Sequence, residues 1–269
     1  MPYRIKNIIV NKSVKIENGV YYLSLPSEKD DLTARIYLNV RKKEGRIYDD
    51  TAVKLLPCVN SSHKYFNEWK IRKSTSEKFC KYLWEDKSLK MILEFGCGNG
   101  WLSAKIAKDV NSLVYGLDIN IPELEQGARV FKNYNNLFFL YGDIFNEVLA
   151  YLRFDYIVLA SSLAYFEDAE LLLNRLLTLL NDKGEIHFID NPVYNADEIE
   201  AATQRSTEYY EKLGFPEMKK HYFHHNMFEV LKKYDFEVLH NPNSFINKIN
   251  RKFNESSSPF YWIKVVKKL

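Results

Sequence analysis

Met91-Ile-Leu-Glu-Phe-Gly-Cys-Gly-Asn-Gly100-Trp-Leu-Ser-Ala-Lys-Ile-Ala107 is the stretch whose reading decides the fold. An apolar run of strand length, Met91 to Phe95, breaks into three glycines at alternate positions, and Leu102 and Ile106 follow at helical spacing. The pattern predicts strand, tight turn, helix. Glycine in such a turn reaches backbone angles closed to other residues, and its missing side chain lets a ligand lie against the main chain. The helix N-terminus beyond it offers unpaired N–H groups and a partial positive charge. The stretch therefore reads as a nucleotide-binding turn.

Spacing narrows the choice of nucleotide. Gly96-Cys97-Gly98-Asn99-Gly100 is G-x-G-x-G, with Trp101 standing where the dinucleotide fingerprint would continue towards its third glycine. The P-loop pattern is absent, since no Lys followed by Ser or Thr occupies the required positions. Glu94, two residues before the first glycine, places an acid where a pyrophosphate would be repelled.

Outward from this turn the pattern alternates. Strands are expected at 91–95, 113–118, 137–141, 155–160 and 185–190, and helices at 101–109, 122–133, 144–152 and 168–181. Near-continuous apolar strands such as Tyr156-Ile-Val-Leu-Ala160 fit a parallel sheet buried on both faces, hence a doubly wound α/β domain. Ligands of such sheets bind at the carboxyl ends of the strands. Strand two ends at Asp118, 18 residues after Gly100, where an acid can accept hydrogen bonds from both ribose hydroxyls; Ile119 and Asn120 supply no Arg for a 2′-phosphate. Strand three ends at Gly142-Asp143-Ile144, and strand four opens at Asp155 and ends at Ala160-Ser161-Ser162.

The register of Glu94-x-Gly96-x-Gly98-x-Gly100, Asp118, Asp143 and the Ala160-Ser161 turn resembles the class I S-adenosylmethionine-dependent methyltransferases. The resemblance covers residues 62–190 well and the N-terminal segment poorly. It implies a doubly wound, mostly parallel seven-stranded sheet whose last two strands, around 236–239 and 260–266, form an antiparallel hairpin at the edge ending in Lys267-Lys268. It implies S-adenosyl-L-methionine as cofactor, with the glycine turn (Glu94, Gly96, Cys97, Gly98, Asn99, Gly100) and the Ala160-Ser161 turn around its methionine part, Asp118 with Ile119 at the ribose, and Asp143 with Ile144 at the adenine. The reaction implied is in-line methyl transfer to a small-molecule acceptor. A general base is needed only for a protonated acceptor; Tyr165 and Asp190 are the candidates placed to face it. A helix before the glycine turn closes over the cofactor in many relatives of this kind, which brings in Trp69 and Arg72.

Residues 1–60 read as a β-rich extension: Val20–Leu25 as a strand, and Ile36, Leu38 and Val40 alternating into a hairpin that returns through Arg46-Ile47-Tyr48. The rest, 61–269, reads as the cofactor-binding domain, with a helical insertion over about 191–234. Ser74-Thr-Ser-Glu77 has capping-box spacing and marks a helix start, with Phe79, Leu83 and Tyr82 on its apolar face.

The remaining signals exclude more than they assign. A net charge of +3 with mixed signs, in a chain of 46% hydrophobic residues, predicts no nucleic-acid or membrane binding. The cysteines, Cys58, Cys80 and Cys97, argue against a disulfide framework or structural zinc. Ile8-Ile9-Val10 is too short for a signal segment, so the expected location is cytoplasmic. Asn191-Pro-Val-Tyr194 reads as a chance likeness to an amino-methyltransferase motif, because it follows strand five. His221, His224 and His225 have spacings that could share a helix face, but no carboxylate completes a metal pattern; a His and Tyr wall of the acceptor pocket outranks a metal site, and a half-exposed helix outranks both. A homodimer is compatible with the β extension. Three other readings stay open: aminopropyl transfer from decarboxylated S-adenosylmethionine, an NAD-linked oxidoreductase, and a non-catalytic binding module.

Overall fold

The strand read from Met91 to Phe95 runs from Lys90 to Phe95 (β3) and stands in the middle of a nine-stranded sheet. The computed structural model describes residues 14–253 and 257–267; the run Ile8-Ile9-Val10 and Lys268 lie outside them. The other strands are β1 (Lys15–Glu17), β2 (Val20–Tyr22), β4 (Ser112–Asp118), β5 (Leu137–Tyr141), β6 (Phe154–Ala160), β7 (Leu180–Asn191), β8 (Asp235–His240) and β9 (Tyr261–Val266). Their order is β1-β2-β5-β4-β3-β6-β7-β9-β8. From β2 to β7 the pairings are parallel, while β9 runs antiparallel to both β7 and β8. The seven strands from β5 to β8 are the sheet expected from the resemblance, and β1 and β2 extend it.

Successive strand residues serve opposite cores, as a sheet covered on both faces requires. Leu93, Tyr115, Phe138 and Ile157 pack into one cluster, and their neighbours Ile92, Val114, Phe139 and Val158 into the other. Each is nearly or fully buried, and burial of such a side chain contributes about 1.5–3 kcal/mol. Helices α4 (Trp101–Asp109), α5 (Ile121–Val130) and α6 (Ala169–Leu179) connect the strands close to their expected bounds. The expected helix at 144–152 is only a 3₁₀ turn, Glu147–Tyr151.

The N-terminal segment departs most from expectation. Strands β1 and β2 fit a β-rich extension, and β2 adds in parallel to β5. The first arm of the hairpin expected over 36–48 is instead part of a helix, α1 (Glu28–Glu44), and Arg46-Ile47-Tyr48 is neither helix nor strand. Ser27 caps it by accepting the Asp30 N–H, acids fill its first turn and Arg41, Lys42 and Lys43 its last, and Gly45 closes it in the left-handed conformation. Ile36 and Val40, read as strand alternation, are one helical turn apart and pack with Tyr37 against Tyr210 and Met218. A short α2 (Asp50–Leu55) follows.

The capping-box reading of Ser74-Thr-Ser-Glu77 also fails, since α3 runs unbroken from Phe66 to Trp84. Ser76 donates back to the Lys73 carbonyl, and Thr75 reaches across to Asp190. Between β7 and β8 lie α7 (Ile199–Leu213), a 3₁₀ turn (Pro216–His221) and α8 (Met227–Leu231). His221, His224 and His225 share no helix face, because 222–226 is not helical. A further helix, α9 (Phe245–Phe253), precedes β9. No helix of the described residues is long and apolar enough to cross a membrane.

Candidate active site

At the carboxyl end of β3 the chain turns through Gly96, Gly98 and Gly100, all with positive φ. Gly96 is a close-approach glycine: a Cβ there would lie 2.5 Å from the Cβ of Ser162, so the turn after β6 rests directly on its backbone. Ser162 fastens the contact by donating to the Phe95 carbonyl at 2.8 Å.

Asp118, ending β4, ties this turn to the next one. Its Oδ2 accepts the Gly98 N–H at 2.8 Å and its Oδ1 the Asn120 N–H at 2.9 Å. Burial pushes its carboxyl above the usual range, against the pull of these N–H donors. Glu123, in the first turn of α5, takes the Asn120 side-chain amide at 3.2 Å. Burial, then the Asp118 charge, raises it to about 7. Glu94 lies beneath the turn, 3% exposed and bonded by the Ser103 hydroxyl of α4. Burial raises it to about 8, with Ser103 opposing and Asp118 adding to the shift.

This has a stability consequence of definite sign. The folded chain keeps the Glu94 proton up to about pH 8, while the unfolded chain releases it near 4.5. Between those values the folded state binds more protons, so stability falls as pH rises through that window and levels off above it. Glu94→Gln is expected to remove on the order of 3 kcal/mol of that fall. Thermal melts from pH 5 to 9 check it; equal slopes for variant and parent would contradict the assignment. Glu123 contributes with the same sign, so the variant keeps a shallower slope.

These residues line a cavity of about 300 Å³ at the strand ends. Every expected cofactor contact, Glu94, Gly96, Cys97, Gly98, Asn99, Asp118, Ile119, Asp143, Ile144, Ala160 and Ser161, is on its wall, except Gly100. Gly100 is taken up in packing against Phe139. Asp143 is exposed at the rim and accepts the Phe145 N–H, whereas the Ile144 side chain is fully buried in the core and Phe145 stands half open beside it. Trp69 and Arg72 of α3 reach the cavity as expected. Trp69 packs edge-on against Trp101, and Arg72 pairs with Glu68 at 3.0 Å.

The residues missed from sequence come from α1 and its exit: Tyr37, Arg41, Arg46 and Tyr48 all line this cavity, as does Glu123. Arg46 clamps Glu68 with two bonds of 2.9 and 2.7 Å and lies 3.6 Å over the Tyr65 ring. The caps of α1 were the signal that could have placed them. The wall is thus acidic at the glycine turn and carries guanidiniums, each already paired, on the helical side.

A second cavity, about 640 Å³, adjoins the first and shares Arg41, Glu68, Arg72, Ser161 and Tyr165 with it. Asp190 faces this cavity and not the first. Ser161 and Asp190, at neighbouring strand ends, both hold positive φ, a strain of about 1–3 kcal/mol each that the fold maintains where the cavities meet. The Ser161 hydroxyl donates to the Asp190 carbonyl at 2.9 Å. Tyr165 accepts from Arg41 at 2.9 Å. Asn191 knits the strand ends by donating to the Leu159 and Ile189 carbonyls and accepting the Leu163 N–H, while Tyr194 lines the second cavity. His224 is there too, held by Ser206 at 3.1 Å. Among the described residues no group of three His, Cys, Asp or Glu could hold a metal ion.

The model of a family described as "Methyltransferase domain" matches residues 86–254, more than half of the chain. Uncharacterized methyltransferases of Mycobacterium bovis and Mycobacterium tuberculosis are 32% identical over 95 residues, 35% of this chain and 47% of theirs. The chain thus spans about half the length of these curated relatives. Among solved structures, the CurJ carbon methyltransferase has a TM-score of 0.55 at 15% identity, over 90% of this chain and 68% of that one. The plantazolicin methyltransferase BpumL, solved with S-adenosylhomocysteine, has a TM-score of 0.50 at 16% identity, over 91% of this chain and all of that one. The strand–turn–helix motif, the sheet order and the family match lead to one conclusion: this chain belongs to the methyltransferase-domain family.

Proposed function

We propose that this protein methylates a small-molecule acceptor held in the second cavity, with S-adenosylmethionine held in the first. The observation that carries this reading is the meeting of the two cavities at Ser161, Tyr165 and the Arg72–Glu68 pair. The first cavity fits the cofactor. Its glycine turn presents bare backbone, and the Asp118 carboxylate stands on the wall where a ribose diol needs acceptors. When bound, S-adenosylmethionine supplies a methyl carbon already activated by its sulfonium. The chain's own part is to align the acceptor and exclude water, a contribution of proximity and orientation. Helices α1 and α3 contribute Tyr37, Arg41, Trp69 and Arg72 to the wall of the first cavity, and Arg41 and Arg72 to that of the second. Asp190 and Tyr165 are the groups placed to hold or move an acceptor proton.

Product analysis tests the reaction. Turnover with an acceptor is expected to yield S-adenosylhomocysteine and a methylated product by mass spectrometry. Formation of 5′-methylthioadenosine from the decarboxylated cofactor would instead indicate aminopropyl transfer.

A further inference from the structure

The second cavity carries a preference for one class of acceptor, and the inference rests on the methyl-transfer reading above. Its wall is aromatic. Tyr222 packs edge-on against Tyr165 and Tyr210, each 5.7 Å between ring centroids, and against His224 at 5.4 Å. On one side of the wall Glu44 and Glu68 are shared among arginines, Arg46 reaching them from the first cavity. Arg41 bonds Glu44 at 3.0 Å, Arg72 bonds Glu68 at 3.0 Å, and Arg46 lies within ion-pair distance of both acids.

Asp190 is the acid of the wall that stands outside this ion-pair cluster. It is 6% exposed and takes hydrogen bonds from two neutral hydroxyls, Thr75 at 2.9 Å and Ser258 at 3.3 Å, both on Oδ1. Among the described residues it forms no ion pair, and its Oδ2 accepts no hydrogen bond. Arg72 acts on it from a distance but is engaged with Glu68. Arg205, the remaining cation of the wall, is on the exposed side of α7.

A buried carboxylate with a free oxygen, set among aromatic rings, favours a cation: the ring faces attract it and the carboxylate neutralises it. An anionic acceptor would bury a second negative charge beside the first. We propose that the second cavity takes an aliphatic amine as the acceptor, with Asp190 pairing with its nitrogen and Tyr165, Tyr210 and Tyr222 enclosing it. The ammonium then passes one proton to the Asp190 carboxylate. This leaves a neutral carboxylic acid and a neutral amine whose lone pair is free to act as the nucleophile. Burial raises the Asp190 carboxyl, which suits it to receive that proton.

Calorimetric titration of the full chain, with and without saturating S-adenosylhomocysteine, tests this using 2-phenylethylamine, 2-phenylethanol and 3-phenylpropanoate. The amine is expected to bind at least about tenfold more tightly than the alcohol or the acid, and Asp190→Asn to abolish that preference by weakening the amine far more than the alcohol. Tyr222→Leu is expected to weaken the amine by about threefold or more relative to the alcohol, and it carries the test if Asp190→Asn shows no folding transition. Equal or tighter binding of the alcohol or the acid, an amine preference that survives Asp190→Asn, or no binding of the amine would overturn the proposal. Failure of S-adenosylhomocysteine to bind would overturn the methyl-transfer reading instead, and the titrations without it would still decide the amine preference.

Discussion

Asp118→Ala is expected to weaken S-adenosylmethionine binding by about a hundredfold, the loss of two hydrogen bonds to a charged acceptor. The carboxylate has two tasks. It stands on the cavity wall, where the ribose assignment places it, and it accepts the Gly98 and Asn120 N–H groups that shape both turns. Alanine removes the acceptors of both backbone donors, so the variant is also expected to lose about 1–2 kcal/mol of stability. Asp118→Asn separates the effects. The amide oxygen can keep one backbone donor, but the NH₂ cannot accept from a ribose hydroxyl, so stability is largely retained while affinity still falls by about tenfold. Calorimetry for affinity and thermal melts for stability read the two separately. Unchanged affinity in both variants would show that Asp118 is a structural tie and nothing more.

Gly100→Ala is expected to cost about 3 kcal/mol or more, through backbone strain at positive φ and overpacking of the core. Gly100 has φ of 70° at the start of α4, and a Cβ there would lie 2.2 Å from Cε1 and 2.6 Å from Cζ of Phe139. The ring is 3% exposed, and a Cβ at Gly127 would meet the same two ring atoms, Cζ at 2.8 Å and Cε1 at 2.9 Å. Gly100, at the cap of α4, and Gly127, in α5, thus both leave room for one edge of a β5 ring, on which the glycine turn rests. Urea denaturation measures the loss. Combining Gly100→Ala with Phe139→Leu is expected to recover the steric part but not the φ strain. An unchanged midpoint in the single variant would refute the packing argument.

Local chemistry made the cofactor turn legible before any coordinates. A strand, a glycine turn and a helix are specified within about twenty residues, and the acids at the strand ends fall in register with them. Helix α1 was misread because Ile36, Leu38 and Val40 satisfy a period of two as well as Ile36 and Val40 satisfy a turn of helix. The caps at Ser27 and Gly45 settle it, and they lie outside the apolar segment itself. Ser74 and Glu77 show the opposite error, cap-like spacing inside a helix whose start is set upstream by packing. Glu123 carries no ligand signal in the sequence, since a helix start favours acids whether or not a ligand is near. Of the second cavity only Tyr165, Asp190 and a His and Tyr wall were read from the sequence, for a different reason. Arg41, Tyr165, Asp190, Tyr210 and Tyr222 come from five separate segments and meet only through the tertiary fold.

The most direct test of the central claim is calorimetric titration of the purified chain with S-adenosylmethionine, S-adenosylhomocysteine, decarboxylated S-adenosylmethionine and NAD. The two intact thioether and sulfonium forms are expected to bind, with NAD showing no heat of binding at the same concentrations. Preference for NAD or for the decarboxylated form, or the absence of any binding, would contradict the reading of the Glu94–Gly100 turn and of the cavity built on it.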